Sequence, residues 1–289
     1  MLLGAVQISL LSTRICVSDV GTGDSSRLFD REHEVAARPA NLDRLTSLLM
    51  AEVEVLRDLG VERIEVTAVP ELRGTRLIRL LGRVSTAIGS GEIRIPSRRE
   101  SAASAFLGAT VPGDFDPGET VTVARIGETS VDLAVGAPGA MPDWFGSRPI
   151  GTAAIARKAR ISDPPRLDQL EAASRGASRS IASLSWPAGD RACAVSSLAE
   201  QVETLCGPLV SSDDARRGLE SVKNERVDDI SARFEVGPSE ARRVTPALVL
   251  HGALAEAMCR PVEPVADDPV AGRVWLAEIG RPLADREPG

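Results

Sequence analysis

The chain has 289 residues, 43% of them hydrophobic and 26% charged, with a formal charge of −7. That length can bury the core of one large or two medium domains, and the negative charge excludes a general attraction to nucleic acid. Four cysteines without C-x-x-C spacing and only two histidines exclude a zinc site, and no apolar run is long enough to span a membrane.

The N-terminus reads as a strand rather than a signal peptide, so a cytoplasmic protein with reduced thiols is expected. Residues 4–9 and 13–19 read as two strands joined by a tight turn. A polar stretch follows. Asn41 then caps a helix over 42–59, apolar at Leu45, Leu48, Leu49, Val53 and Leu56, and Gly60 ends it. A buried strand over 61–69, a helix over 76–88, a short strand over 92–95 and a helix over 100–107 complete an α/β half. The Pro- and Gly-rich segment 111–118 is the best linker in the chain, giving domains of 1–112 and 119–289. The second half opens on strands over 120–124 and 133–136. It continues with helices over 152–159, 167–183, 198–205, 213–222 and 240–258, a strand over 192–195, and a tail with one strand and a short helix near 274–279. A hairpin thus opens each half, which hints at a duplicated architecture.

Between the strands of the second hairpin stand Arg125, Ile126, Gly127, Glu128, Thr129, Ser130, Val131 and Asp132. Phosphate-binding hairpins hold anions on consecutive backbone N–H groups and need small residues at the turn. An acidic residue just before the turn would place a divalent metal on the phosphates. Here that position is Arg125, and Glu128 and Thr129 stand in the turn.

The order and spacing of several motifs resemble the exopolyphosphatase/guanosine-pentaphosphate phosphatase (Ppx/GppA) family. Residues 4–12 lie where that family has G-x-x-D-x-G-S-N-[ST]; 67–76 lie at A-T-S-A-x-R-x-A-x-N; and 93–109 at I-x-x-[IL]-x-x-x-E-E-A-x-L-x-[FY]-L-G-[AV]. Residues 121–136 lie at V-x-D-I-G-G-G-S-x-E-x-x-x-G, and 147–151 and 163–165 match S-x-P-x-G and D-P-P. The resemblance implies an α/β, two-domain actin-like ATPase (ribonuclease H-like) fold with each half opened by a β-hairpin. It also implies phosphoanhydride hydrolysis with Mg²⁺ as cofactor if the protein is active. Polyphosphate or guanosine penta- or tetraphosphate becomes the expected ligand. A homodimer, or a heterodimer with a paralogue, is compatible with it.

Carried over residue by residue, the resemblance places Gln7 at the first hairpin's aspartate and Ser9, Leu10 and Leu11 at its G-S-N loop. Arg125 falls at the second aspartate, Glu128 and Thr129 at glycines, and Asp132 at the loop's glutamate. Of the E-E doublet Glu100 remains, while Ser101 takes the presumed base position. Ser196, Ser197 and Leu198 occupy a later glycine-threonine loop. Glu100 and Asp132 are therefore the catalytic candidates, and Arg73, Arg125, Gly127 and Ser130 the phosphate-binding ones; no metal ligand is assigned.

Hydrolysis in such a fold needs phosphate donors, a carboxylate-held metal and a base, and the substitutions touch all three. Loss of a general base alone costs a factor of about 10²–10⁴. The expectation is a catalytically impaired member that binds a phosphorylated ligand or a protein as a regulator. An active exopolyphosphatase or guanosine-pentaphosphate phosphatase is the alternative. Several residues also have plainer readings. Glu100 opens a helix, where a carboxylate suits the dipole; Arg125 reads equally as a strand-end surface residue, and Asp132 as a solvated edge residue. Arg94, Arg98 and Arg99, and the Arg216–Arg217 and Arg242–Arg243 pairs, read as exposed faces. His251 reads as a packing histidine, and His33 as part of a polar loop.

Overall fold

The computed structural model describes residues 2–9, 12–20, 25–35, 39–61, 63–69, 72, 78, 81–82, 86, 93–187, 189–268, 270–273 and 276. The chain divides into two compact units, one of Met1–Glu100 with Asp268–Gly289 and one of Ser101–Asp267.

In the first unit β1 (Leu2–Ile8) and β2 (Thr13–Val20) form the expected antiparallel hairpin. A third strand, β3 (Ser25–His33), follows where sequence alone suggests an unstructured polar stretch. It is the edge strand of a sheet ordered β3-β2-β1-β4, with β4 (Arg63–Ala68) parallel to β1. An edge strand with one free face carries no apolar alternation strong enough to read, and Leu28 on it is exposed. His33 therefore lies on a strand rather than in a loop. Helix α1 (Leu42–Asp58) buries Leu45, Leu49, Val53 and Leu56, one stripe at helical spacing, against Val6, Ile8, Ile15 and Val17. Asn41 precedes it without a side-chain capping bond. Arg94 bridges Thr67 in parallel beside β4. The helix expected over 76–88 and the tail helix near 274–279 lie largely outside the described residues.

Helix α2 (Arg98–Thr110) precedes the exposed segment 111–118. The second unit then builds β5 (Val121–Ile126), β6 (Val131–Gly136) and β7 (Trp144–Arg148) as an antiparallel meander. Helices α3 (Thr152–Ala159) and α4 (Leu167–Ala182) lead to β8 (Arg191–Ser196), parallel to β5, and β9 (Glu263–Ala266) pairs beyond it. The sheet order is β7-β6-β5-β8-β9.

The two sheets share one plan: a three-strand antiparallel meander whose first strand pairs in parallel with the fourth, β3-β2-β1-β4 in one and β7-β6-β5-β8 in the other. The duplication hinted at by the two hairpins is thus present in the strand order. Helices α5 (Ala199–Cys206), α6 (Ser212–Val222), α7 (Val227–Phe234) and α8 (Pro238–Met258) complete the second unit. Val249, Leu250, Ala253 and Leu254 of α8 pack with sheet residues Ala124, Ile126, Val131 and Leu133, while its Val244, Ala247 and Leu248 pack with α5, α6 and α7. His251 is fully buried on this helix. Among the described residues no helix is long and apolar enough to cross a membrane.

Candidate functional site

The second hairpin gathers four of the sequence candidates. Register pairs Arg125 with Asp132 and Ile126 with Val131, and the turn closes through the Gly127 N–H donating to the Ser130 carbonyl at 2.9 Å. Asp132 is 2% exposed, so it is an interior carboxylate and not a solvated edge residue. Burial of a charge requires partners. Asp132 has them: the Ser130 hydroxyl donates to Oδ2 at 3.0 Å, the Ser147 hydroxyl donates to Oδ1 at 2.5 Å, and Arg125 Nη1 lies 4.0 Å from Oδ2. The Arg125 side chain is only 17% exposed, so it lies inward and not at a free surface. Ser147 is missing from the sequence-derived site, although it opens the S-x-P-x-G match. It reaches Asp132 because β7 pairs with β6 and sets the two residues opposite each other.

The turn is also built into the start of α3. The Thr152 N–H donates to the Gly127 carbonyl at 3.0 Å, and the Ala153 and Ala154 N–H groups donate to the Glu128 carbonyl at 2.9 and 3.2 Å. A helix N-terminus binds anions through free N–H groups; here three of them already have acceptors. Gly151 permits this approach. A Cβ at Gly151 would lie 2.3 Å from Glu128 C and Thr129 N and 2.4 Å from Gly127 O. Gly151→Ala is therefore expected to displace the turn and lower stability by about 3 kcal/mol, measured by urea denaturation. Glu128 points inward as well, its Oε1 lying 3.9 Å from Nη1 of Arg243 with both side chains about nine-tenths buried. Arg243 was expected on an exposed face. It is instead 7% exposed, because α8 turns that residue toward the hairpin while Arg242 stays outside.

In the first unit, Glu100 sits in the first turn of α2 in a reciprocal cap. Its Oε2 accepts from the Ser97 N–H at 2.6 Å, its own N–H donates to Ser97 Oγ at 3.1 Å, and Arg94 Nη2 donates to Oε1 at 3.0 Å. Ser97-Arg98-Arg99-Glu100 is thus a capping box. Burial pushes the Glu100 carboxyl up. The Ser97 N–H, the Arg94 guanidinium and the Ser97 hydroxyl outweigh it and hold the group below its ordinary value. Glu100→Ala should cost about 1 kcal/mol of thermal stability through loss of the cap. A circular-dichroism melt beside Ser97→Ala, which removes the same cap, checks this.

At the first hairpin Gln7 lies opposite Arg14, whose guanidinium holds Asp30 with two bonds of 2.8 and 2.5 Å. Ser9 and Ser12 close the turn, the Ser9 N–H donating to the Ser12 carbonyl and the Ser12 N–H to Ser9 Oγ, each at 2.9 Å. Leu10, Leu11 and Arg73 lie outside the described residues. Ser101 follows Glu100 on α2 and is half-buried. Where the family has its glycine-threonine loop, Ser196 Oγ accepts from the Leu198 N–H at 3.1 Å ahead of α5.

A Mg²⁺ ion does not fit the second hairpin. Mg²⁺ seeks carboxylate and water oxygens in octahedral array. Both hairpin carboxylates already face cations: Asp132 has a hydroxyl donor on each oxygen and the Arg125 guanidinium 4.0 Å away, and Glu128 Oε1 lies 3.9 Å from Nη1 of Arg243.

No protein-family model matches the chain, and no curated protein matches it. Solved structures do. A Ppx/GppA family member from Aquifex aeolicus superposes with a TM-score of 0.74 at 16% identity, covering 96% of this chain and 98% of that one. An exopolyphosphatase from Cytophaga hutchinsonii superposes with a TM-score of 0.76 at 15% identity, over 96% and 97%. The likeness is one of fold and extends over nearly the whole of each chain.

Proposed function

We propose that this chain, with the Ppx/GppA fold as its frame, binds a phosphorylated ligand and acts as a regulator without efficient phosphoanhydride hydrolysis. The observation that carries this reading is Arg125 beside Asp132 at the position where a hydrolase of this fold would hold a metal-binding carboxylate. An arginine changes the local charge by about two units relative to an aspartate, repelling a cation and attracting an anion. Its planar fork suits phosphate oxygens.

The remaining carboxylates support the same reading. Glu100 has a capping partner on each oxygen, and Asp132 a serine hydroxyl on each of its own. A general base must reach the attacking water, and these oxygens are engaged elsewhere. Four free thiols, two of them buried, suit a cytoplasmic setting.

Isothermal titration with short-chain polyphosphate and with guanosine pentaphosphate, in Mg²⁺ and in EDTA, tests the proposal. At least one should bind saturably and independently of Mg²⁺, and Arg125→Gln should weaken it about tenfold. Binding that requires Mg²⁺ would contradict the proposal, as would binding indifferent to Arg125.

A further inference from the structure

A cavity of about 310 Å³ lies within the second unit, away from the hairpin turn. Thr122 lines it near the start of β5, four residues before Ile126 at the turn, so about 13 Å of strand separate the two places. The walls combine Trp186, Leu184 and Met258 with Thr122, Ser185 and Arg260. Three observations indicate a built site.

Its polar side chains are an arginine, an indole and two hydroxyls, and no Asp or Glu lines it. The Arg260 guanidinium, the Trp186 indole N–H and the Ser185 and Thr122 hydroxyls have no protein partner among the described residues. Thr122 is 2% exposed and lines the cavity from β5, so its hydroxyl is held in a fixed place on the wall. The wall is also closely fitted: a Cβ on Gly189 would lie 2.6 Å from Thr122 Oγ1 and 2.9 Å from its backbone N, so only glycine lets this loop meet β5. Arg260 follows the C-terminus of α8, where a cation also offsets the helix dipole. That role calls for neither the indole nor the two hydroxyls.

We propose that this cavity binds a planar aromatic anion no larger than a mononucleotide. The ring would stack on Trp186 and pack against Met258 and Leu184, and the acidic group would meet Arg260 and the hydroxyls. A volume of about 310 Å³ is at the small end of ligand cavities and suits a single ring system with its acidic group. Aromatic stacking and a charge-assisted bond at one site are the interactions such a ligand needs. This second site is independent of the hairpin and of the function proposed for it.

Isothermal titration with guanosine monophosphate, indole-3-acetate and inorganic phosphate tests it. At least one ring-bearing anion should bind with Kd below about 1 mM, and phosphate alone about tenfold more weakly or not at all. Arg260→Gln and Trp186→Leu should each weaken the ring-bearing ligand about tenfold, with thermal melts showing that both variants are folded. Trp186→Phe should retain most of the affinity. Three results would overturn the proposal: no saturable binding of either aromatic anion, phosphate binding as tightly as they do, or loss of binding in Arg125→Gln rather than Arg260→Gln.

Discussion

Asp132→Ala is expected to lower the stability of the second unit by about 3 kcal/mol, read as a shift of the urea midpoint. The substitution leaves the Ser130 and Ser147 hydroxyls without their acceptor and the Arg125 guanidinium without its carboxylate. Breaking a buried pair in this way costs about 3–5 kcal/mol. Arg125 keeps some contact with water and lies 4.0 Å from Oδ2, so the lower end applies. Asp132→Asn keeps the size and an acceptor oxygen but removes the charge. It should cost less than half as much if hydrogen bonds dominate, and nearly as much if the ion pair does. An alanine variant as stable as wild type would remove Asp132 from the framework of the hairpin and return it to the catalytic candidates.

Acidification should destabilise the protein through His251, beginning well above the carboxylate range. Burial lowers its pKa from 6.5 to about 4, while its Nδ1 contact with the Ala247 carbonyl at 2.8 Å acts the other way. The unfolded chain therefore binds a proton that the folded chain refuses between about pH 6.5 and 4. Stability is full above the unfolded value and falls as pH drops through that window, by about 3 kcal/mol in total. Glu100, with its lowered pKa, adds a loss in the same direction only below the ordinary carboxylate value. His251→Leu separates the two: the slope of stability between pH 6.5 and 4.5 should flatten while the loss at lower pH remains. An unchanged slope would assign that window to other groups.

The expected elements that the structure bears out are those with a strong internal period. The stripe Leu45, Leu49, Val53, Leu56 fixed α1, and the apolar runs of β5 and β6, every residue of β6 buried, fixed the second hairpin. β3 and β7 escaped because they are edge strands: β7 is half-buried along its whole length and β3 exposes Leu28. Helix α7 escaped because Val227 and Ile230 alone are buried in it, too few to set a period.

The sequence names the residues of the second hairpin, and the resemblance sets Arg125 at an acidic position. What the sequence could not supply was where each charge points. Arg242 and Arg243 are adjacent, and only the seating of α8 decides that Arg243 turns inward to Glu128. Ser147 becomes a partner of Asp132 through strand register, a long-range fact. Glu100 is the converse case, because Ser97-x-x-Glu100 is a local capping signature and could have been read directly.

The central claim, that this frame no longer supports metal-dependent hydrolysis, is tested most directly by phosphate release from long-chain polyphosphate with and without Mg²⁺. The wild-type protein should release no phosphate above background in either condition. Mg²⁺-dependent release that Glu100→Ala abolishes, in a variant whose melt shows it folded, would contradict the account and make Glu100 a working base.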